Sequence, residues 1–143
     1  MRTCFTAFFL ALLTVGYALA GDTLYTGLGE KAGIEKIVGR TIDLSLADDR
    51  IGKTFDNTNI VRIKKLLTEQ ICVLAGGPCT YTGRDMRKSH AHLKLQNFHF
   101  NALVENLQTA MDENNIPFAT QNELLAILAP MQRDVTAPPE EAK

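Results

Sequence analysis

The series Ile60, Ile63, Leu67, Ile71 and Leu74 constrains this chain more than any other feature. Steps of three and four residues put these side chains on one face of a helix with about 3.6 residues per turn. A strand, with its period of two, would scatter them over both faces. Asn57 and Thr58 offer cap side chains ahead of the series, and Gly76-Gly77-Pro78 ends it. Three more segments repeat the pattern. Ile34, Ile37, Val38, Thr41 and Ile42 follow Gly33 and stop before Asp48-Asp49. Phe100, Leu103, Val104, Leu107 and Met111 close at Glu113-Asn114-Asn115. Leu124, Leu125, Ile127, Leu128 and Met131 follow Thr120, which is placed to cap them. A short helix is expected from Arg84 to Leu93. Each long helix has one apolar stripe to bury, so the helices must cover one another. The expected architecture is an all-α domain of three long helices and shorter connecting ones.

The ends of the chain read differently. Arg2 precedes an almost wholly apolar run from Phe5 to Tyr17, and Ala18-Leu19-Ala20 has the small-x-small form of a signal-peptidase site. The expectation is a signal peptide over 1–20 and an exported product, periplasmic or extracellular. The run is shorter than the roughly 20 residues that cross a bilayer, so no stable membrane span is expected after cleavage. Residues 21–136 then form the domain. Residues 137–143, with Pro138-Pro139-Glu140-Glu141, form a disordered tail. Fifteen basic and 16 acidic residues leave a net charge of −1, which gives no electrostatic footprint for nucleic acid. Cys4 leaves with the signal peptide. Cys72 and Cys79 either pair in an oxidising compartment or stay as one buried and one exposed thiol. Their spacing allows both, and geometry decides.

Chemistry concentrates in three histidines, His90, His92 and His99. On a helix, His90 and His92 point about 200° apart and do not face one interior ligand together. A haem iron takes one neutral imidazole in an otherwise apolar pocket, and Met86, Leu93, Leu95 and Phe100 supply that neighbourhood for His90. A histidine on an amphipathic helix is also common as a plain surface residue. A second chemistry is an exported copper-type metal-binding module that chelates through His90-Ala91-His92 on a strand or loop. No carboxylate or thiolate stands at a supporting spacing. A helical structural protein without a cofactor is the third possibility.

From Leu24 to about Val135 the chain resembles the group I truncated haemoglobins. The segments that carry the resemblance are Leu24-Tyr25-Thr26-Gly27-Leu28-Gly29, Leu46-Ala47-Asp48-Asp49-Arg50-Ile51 with Phe55, and Gly76-Gly77-Pro78 with Tyr81-Thr82-Gly83. Met86-Arg87-Lys88-Ser89-His90, His99-Phe100 and Ile127-Leu128-Ala129-Pro130 complete the set. The resemblance implies a two-over-two helical sandwich around one haem b, with reversible binding of O₂, NO or CO at the iron. The absence of a Cys-x-x-Cys-His motif points to non-covalent attachment. By the same resemblance His90 is the iron ligand and Phe55 stacks on the haem. Gly76-Gly77 and Gly83 are then the glycine motifs that let a shortened fold wrap the haem. Leu95, Phe100, Leu103 and Leu128 become apolar walls. Arg62 stands where a basic side chain reaches a haem propionate, and reads equally as a solvated surface arginine.

The departures concern the ligand side. The position where such globins usually carry a tyrosine on the first long helix is Ile42, and the polar distal-helix positions are Ile63, Leu66 and Leu67. None of these donates a hydrogen bond. A bound O₂ carries partial negative charge and is stabilised by a donor in a dry pocket. Losing a charge-assisted bond of about 1.5–3 kcal/mol weakens oxygen retention roughly 10- to 150-fold, and CO less. Two polar candidates remain for the distal pocket. Gln70, seven residues after Ile63, returns to nearly the same face or marks the edge of the stripe. Thr41 adjoins Ile42, and a one-residue shift of that helix would bring Thr41 or Asp43 to the distal site. Oxygen-dependent nitric oxide removal needs tightly held O₂, so simple gas binding is favoured over a dedicated enzyme. Electron transfer or peroxidase-like chemistry stays open, and no residue pattern names a reductase or other electron donor.

Overall fold

The computed structural model describes residues 23–137. The signal peptide expected over 1–20 lies outside these residues, as does the expected tail beyond Ala137. Seven α-helices follow in order among the described residues: α1 (Leu24–Gly27), α2 (Glu30–Ala47), α3 (Ile60–Leu74), α4 (Met86–His90), α5 (Asn97–Glu113), α6 (Phe118–Leu128) and α7 (Gln132–Val135). Tight 3-10 turns occupy Gly52–Phe55, Ala91–Leu93 and Ala129–Met131.

Helix α2 is the hub. Its Ile34, Ile37, Val38 and Ile42 are each no more than 1% exposed. This stripe is wide enough to pack on both α3 and α5. Helix α6 packs on α5 and on α1. The pairs α2–α3 and α5–α6 form the two-over-two sandwich. Leu28, Ile71, Met111 and Leu124 close its core, each worth about 1.5–3 kcal/mol in burial.

Several helix starts differ from the sequence expectation. The cap of α3 is Asn59, whose Oδ1 accepts the Arg62 N–H at 3.0 Å, rather than Asn57 or Thr58. Asn57 instead turns the chain with φ +60°, a conformation asparagine tolerates. Helix α2 begins at Glu30, so Gly33 lies inside it. Helix α6 begins at Phe118 behind Pro117, which places Thr120 within the first turn, close against Gly27. The helix expected over 84–93 is divided: Asp85 caps it by accepting the Lys88 N–H at 2.8 Å, α4 ends at His90, and a 3-10 turn follows.

The α3–α4 connection fixes the gap between those two helices. Cys72 and Cys79 are joined in a disulfide, with Cα atoms 5.9 Å apart. Gly76 takes φ +81°, a backbone region that favours glycine. A Cβ on Gly77 would stand 2.5 Å from the Tyr25 ring and 2.7 Å from Cys72 Sγ, so only hydrogen fits there. The Glu69 carboxylate accepts the Thr82 N–H at 3.0 Å and the Thr82 hydroxyl at 2.7 Å. Those two bonds, with Lys65 nearby, hold its pKa below the ordinary value. The Tyr81 hydroxyl donates to the Arg84 carbonyl at 2.8 Å. At its far end α4 leans on α7, where Arg87 pairs with Asp134 at 3.1 Å.

Candidate functional site

A cavity of about 520 Å³ opens where α3 and α4 are held apart. That is within the roughly 300–1,000 Å³ of small-molecule and cofactor sites. The iron-ligand, haem-wall and main distal candidates named from the sequence line it; Asp43 does not. Thr41 and Ile42 come from α2, and Phe55 from the first 3-10 turn. Arg62, Ile63, Leu67 and Gln70 come from α3, and His90 from the end of α4. Leu95 precedes α5, which supplies Phe100 and Leu103, and Leu128 ends α6.

His90 is the chemically distinctive wall residue. Its Nδ1 lies 2.8 Å from the Met86 carbonyl oxygen. A carbonyl only accepts, so Nδ1 carries the hydrogen and Nε2 keeps its lone pair. Burial is the largest cause pushing the imidazole pKa below its ordinary 6.5; the Met86 bond opposes it and His92 adds to it. The outcome is a neutral, oriented imidazole, the form that ligates a metal. His90 is bonded to the residue four positions before it on a single turn of helix, so the local chain sets the ring's direction.

The other two histidines behave differently. The 3-10 turn after α4 brings the exposed His92 to the cavity wall as well, although two helical positions would have pointed it away. His99 Nδ1 accepts the Gln96 N–H at 2.9 Å and helps start α5. It too reaches the cavity. Among the described residues no three His, Cys, Asp or Glu side chains stand together to hold a metal ion.

Polar groups divide by depth. Ile42 is 1% exposed and Thr41 1%, whereas Asn57, Asn59, Arg62 and Arg84 are exposed and form a polar rim. The rim suits the carboxylates of a cofactor whose body is apolar. Gln70 turns its amide nitrogen toward two sulfurs: Nε2 meets the Met86 sulfur at 3.3 Å and the Met131 sulfur at 3.7 Å. The Thr41 hydroxyl donates to the Ile37 carbonyl at 2.8 Å. Asp43 is not in the wall; it pairs with Lys64 at 2.6 Å on the exterior. Arg84 and Asn59 were not singled out from the sequence as cavity residues. They sit in turns or at helix ends, where no periodicity marks them.

An apolar slot with one neutral imidazole on one wall and a basic, amide-bearing rim fits haem, and comparisons with known proteins agree. The model of the bacterial-like globin family matches residues 23–137. The group 1 truncated haemoglobin of Tetrahymena pyriformis is 32% identical over 114 residues, which is 80% of this chain and 94% of that protein. The corresponding protein of Mycolicibacterium paratuberculosis is 27% identical over 113 residues, 79% of this chain and 83% of that protein. The Fe(III) crystal structure of the Tetrahymena pyriformis protein superposes with a TM-score of 0.76 at 32% identity, covering 79% of this chain and 97% of that one. The cyanomet 2/2 haemoglobin of a Synechococcus species, with covalently attached haem, gives 0.75 at 29% identity over 80% of this chain and 98% of that one. The chain therefore belongs to the bacterial-like globin family, among the group 1 truncated haemoglobins.

Proposed function

We propose that this protein is a haem-binding globin that takes up diatomic gases reversibly, with His90 as the ligand to the iron and a ligand side built without a hydrogen-bond donor. The observation that carries the reading is the His90 imidazole: neutral, fixed through Nδ1 to Met86, and presenting Nε2 to an apolar cavity. When bound, haem supplies an iron with one position open to a gas. Phe55, Leu95, Phe100, Leu103 and Leu128 would hold the macrocycle, and Arg62 on the rim would pair with a propionate. Ile42, Ile63 and Leu67 line the gas side and exclude water from it.

The apolar gas side sets the chemistry. Without a donor, O₂ leaves quickly, so binding of O₂, NO or CO without a dedicated oxygen-consuming reaction fits best. The small-x-small site after the apolar run of 1–20 supports export, and the Cys72–Cys79 disulfide suits an oxidising compartment. The copper-type alternative is disfavoured because, among the described residues, no third His, Cys, Asp or Glu side chain joins His90 and His92 to hold a metal ion. Stopped-flow measurement of O₂ release from the ferrous holoprotein tests the reading. Rapid release is expected, and very slow release would show that a donor reaches the gas.

A further inference from the structure

Thioether sulfur gathers at one point of this fold. Of the three methionines among the described residues, Met111 is sealed in the core at 0% exposed, whereas Met86 and Met131 are partly exposed. Those two share a partner. The Gln70 amide nitrogen stands 3.3 Å from Met86 Sδ and 3.7 Å from Met131 Sδ. Three elements meet there. Gln70 lies in the second half of α3, Met86 opens α4, and Met131 ends the 3-10 turn ahead of α7. A thioether is only a weak acceptor. Its oxidised form, the sulfoxide, is polar and carries an oxygen that accepts far better. The sulfur pair therefore has a donor already in place for an oxygen it does not yet carry. Met86 is also the residue whose carbonyl oxygen accepts the His90 Nδ1 hydrogen, so this sulfur and the tie that aims the imidazole belong to one residue.

We propose that Met86 and Met131 form a peroxide-reactive modification site, with Gln70 as its positioning residue. A sulfur lone pair attacks one oxygen of hydrogen peroxide. The S–O bond forms as the O–O bond breaks, the departing hydroxide takes the proton left on the transferred oxygen, and water leaves. The sulfur gives two electrons to the peroxide, and the product is methionine sulfoxide. The Gln70 N–H donates to the peroxide as negative charge gathers on it, and then to the sulfoxide oxygen. Met111 has the same chemistry but no access. The site belongs to the chain itself and does not depend on the haem reading above.

Peptide mass spectrometry after timed exposure to hydrogen peroxide tests the site. The full haem-loaded chain is used with CO on the ferrous iron, which keeps peroxide from the metal. N-acetylmethionine amide in the same solution supplies the rate of an exposed, unassisted thioether. Met86 or Met131 is expected to gain one oxygen at least as fast as that reference, and Met111 none on the same timescale. Partial burial alone would make both slower than the reference. Gln70→Leu should slow the faster of the two about fivefold, the effect of one ordinary hydrogen bond, while Met111 stays protected. Oxidation of both Met86 and Met131 more slowly than the reference overturns the proposal, and that result needs no variant to fold. An unchanged rate in a Gln70→Leu chain with Met111 still protected overturns it as well. If the variant exposes Met111, its core has opened and the native comparison decides alone. A missing Soret band sinks the haem reading, and the same mass spectrometry on the native chain still decides the sulfur site.

Discussion

Ile63→Gln tests the proposed donor-free ligand side by placing a hydrogen-bond donor on it. Ile63 is half-buried on α3, one turn before Leu67, and faces the cavity. Glutamine has nearly the same bulk and, from a half-buried position, keeps access to water when no ligand is bound, so the stability cost is about 1 kcal/mol. The wall's own candidates do not compete: the Gln70 amide rests on the Met86 and Met131 sulfurs, and the Thr41 hydroxyl on Ile37. A new amide N–H to the partially charged oxygen is worth about 1.5–3 kcal/mol, or roughly 10- to 150-fold. That gain belongs in the dissociation rate, because entry of the gas is unchanged. Stopped-flow displacement of O₂ by CO reads the rate directly, and CO displaced by NO serves as the uncharged control. Slower O₂ release with little change for CO is the expected result. If O₂ release is unchanged, or if both gases slow equally, the account of an apolar ligand side limiting oxygen retention is wrong.

Three further outcomes follow from the packing around the cavity. Cys79→Ser opens a short covalent loop on the α3–α4 connection; loop-closure entropy for its eight residues gives a loss of about 2.5 kcal/mol, measurable as a lowered denaturation midpoint and absent when native protein is compared in reductant. Gly77→Ala drives a Cβ into the Tyr25 ring and Cys72 Sγ and is expected to cost about 1–3 kcal/mol in chemical denaturation, with faster haem loss because the α3–α4 gap shifts. For His90, burial sets the folded pKa below the ordinary 6.5, so the unfolded chain binds the proton first and stability rises with pH through that interval. The contribution of His90 is full above the ordinary imidazole value and is lost as pH falls toward the depressed one. Thermal unfolding of the apoprotein across this range should show the slope, and His90→Ala should flatten it.

The helices were legible because they follow from periodicity; the cavity residues were legible through the resemblance to truncated haemoglobins, since spacing alone did not single out His90, Phe55 or Leu95. Ile60, Ile63, Leu67 and Ile71 share a face whatever lies opposite, and the gap left between such faces takes its wall from them. The ends of the helices were less legible. Asn57, Thr58 and Asn59 are all competent caps, and only the path of the chain, with Asn57 at positive φ, leaves the role to Asn59. Reading a helix through to Leu93 put His92 on the wrong side, because periodicity carries no sign that α4 tightens into a 3-10 turn after His90. The fates of the polar candidates depended on partners that sequence distance hides. Met86 and Met131 meet Gln70 from 16 and 61 residues away. Thr41 chose its own helix's carbonyl, a common habit of threonine in helices. The pairing of Cys72 with Cys79 was likewise undecidable from spacing, and the turn through Gly76 and Gly77 settles it.

The absorption spectrum of the haem-reconstituted chain, taken with His90→Ala and His92→Ala beside the native protein, tests the central claim most directly. His90 is the half-buried imidazole bonded to Met86, whereas His92 is exposed on the turn beyond it. The account predicts an intense Soret band in the native protein, its loss or a shift to that of loosely held haem in His90→Ala, and its retention in His92→Ala. A Soret band that survives unchanged in His90→Ala, or disappears in His92→Ala alone, would contradict it.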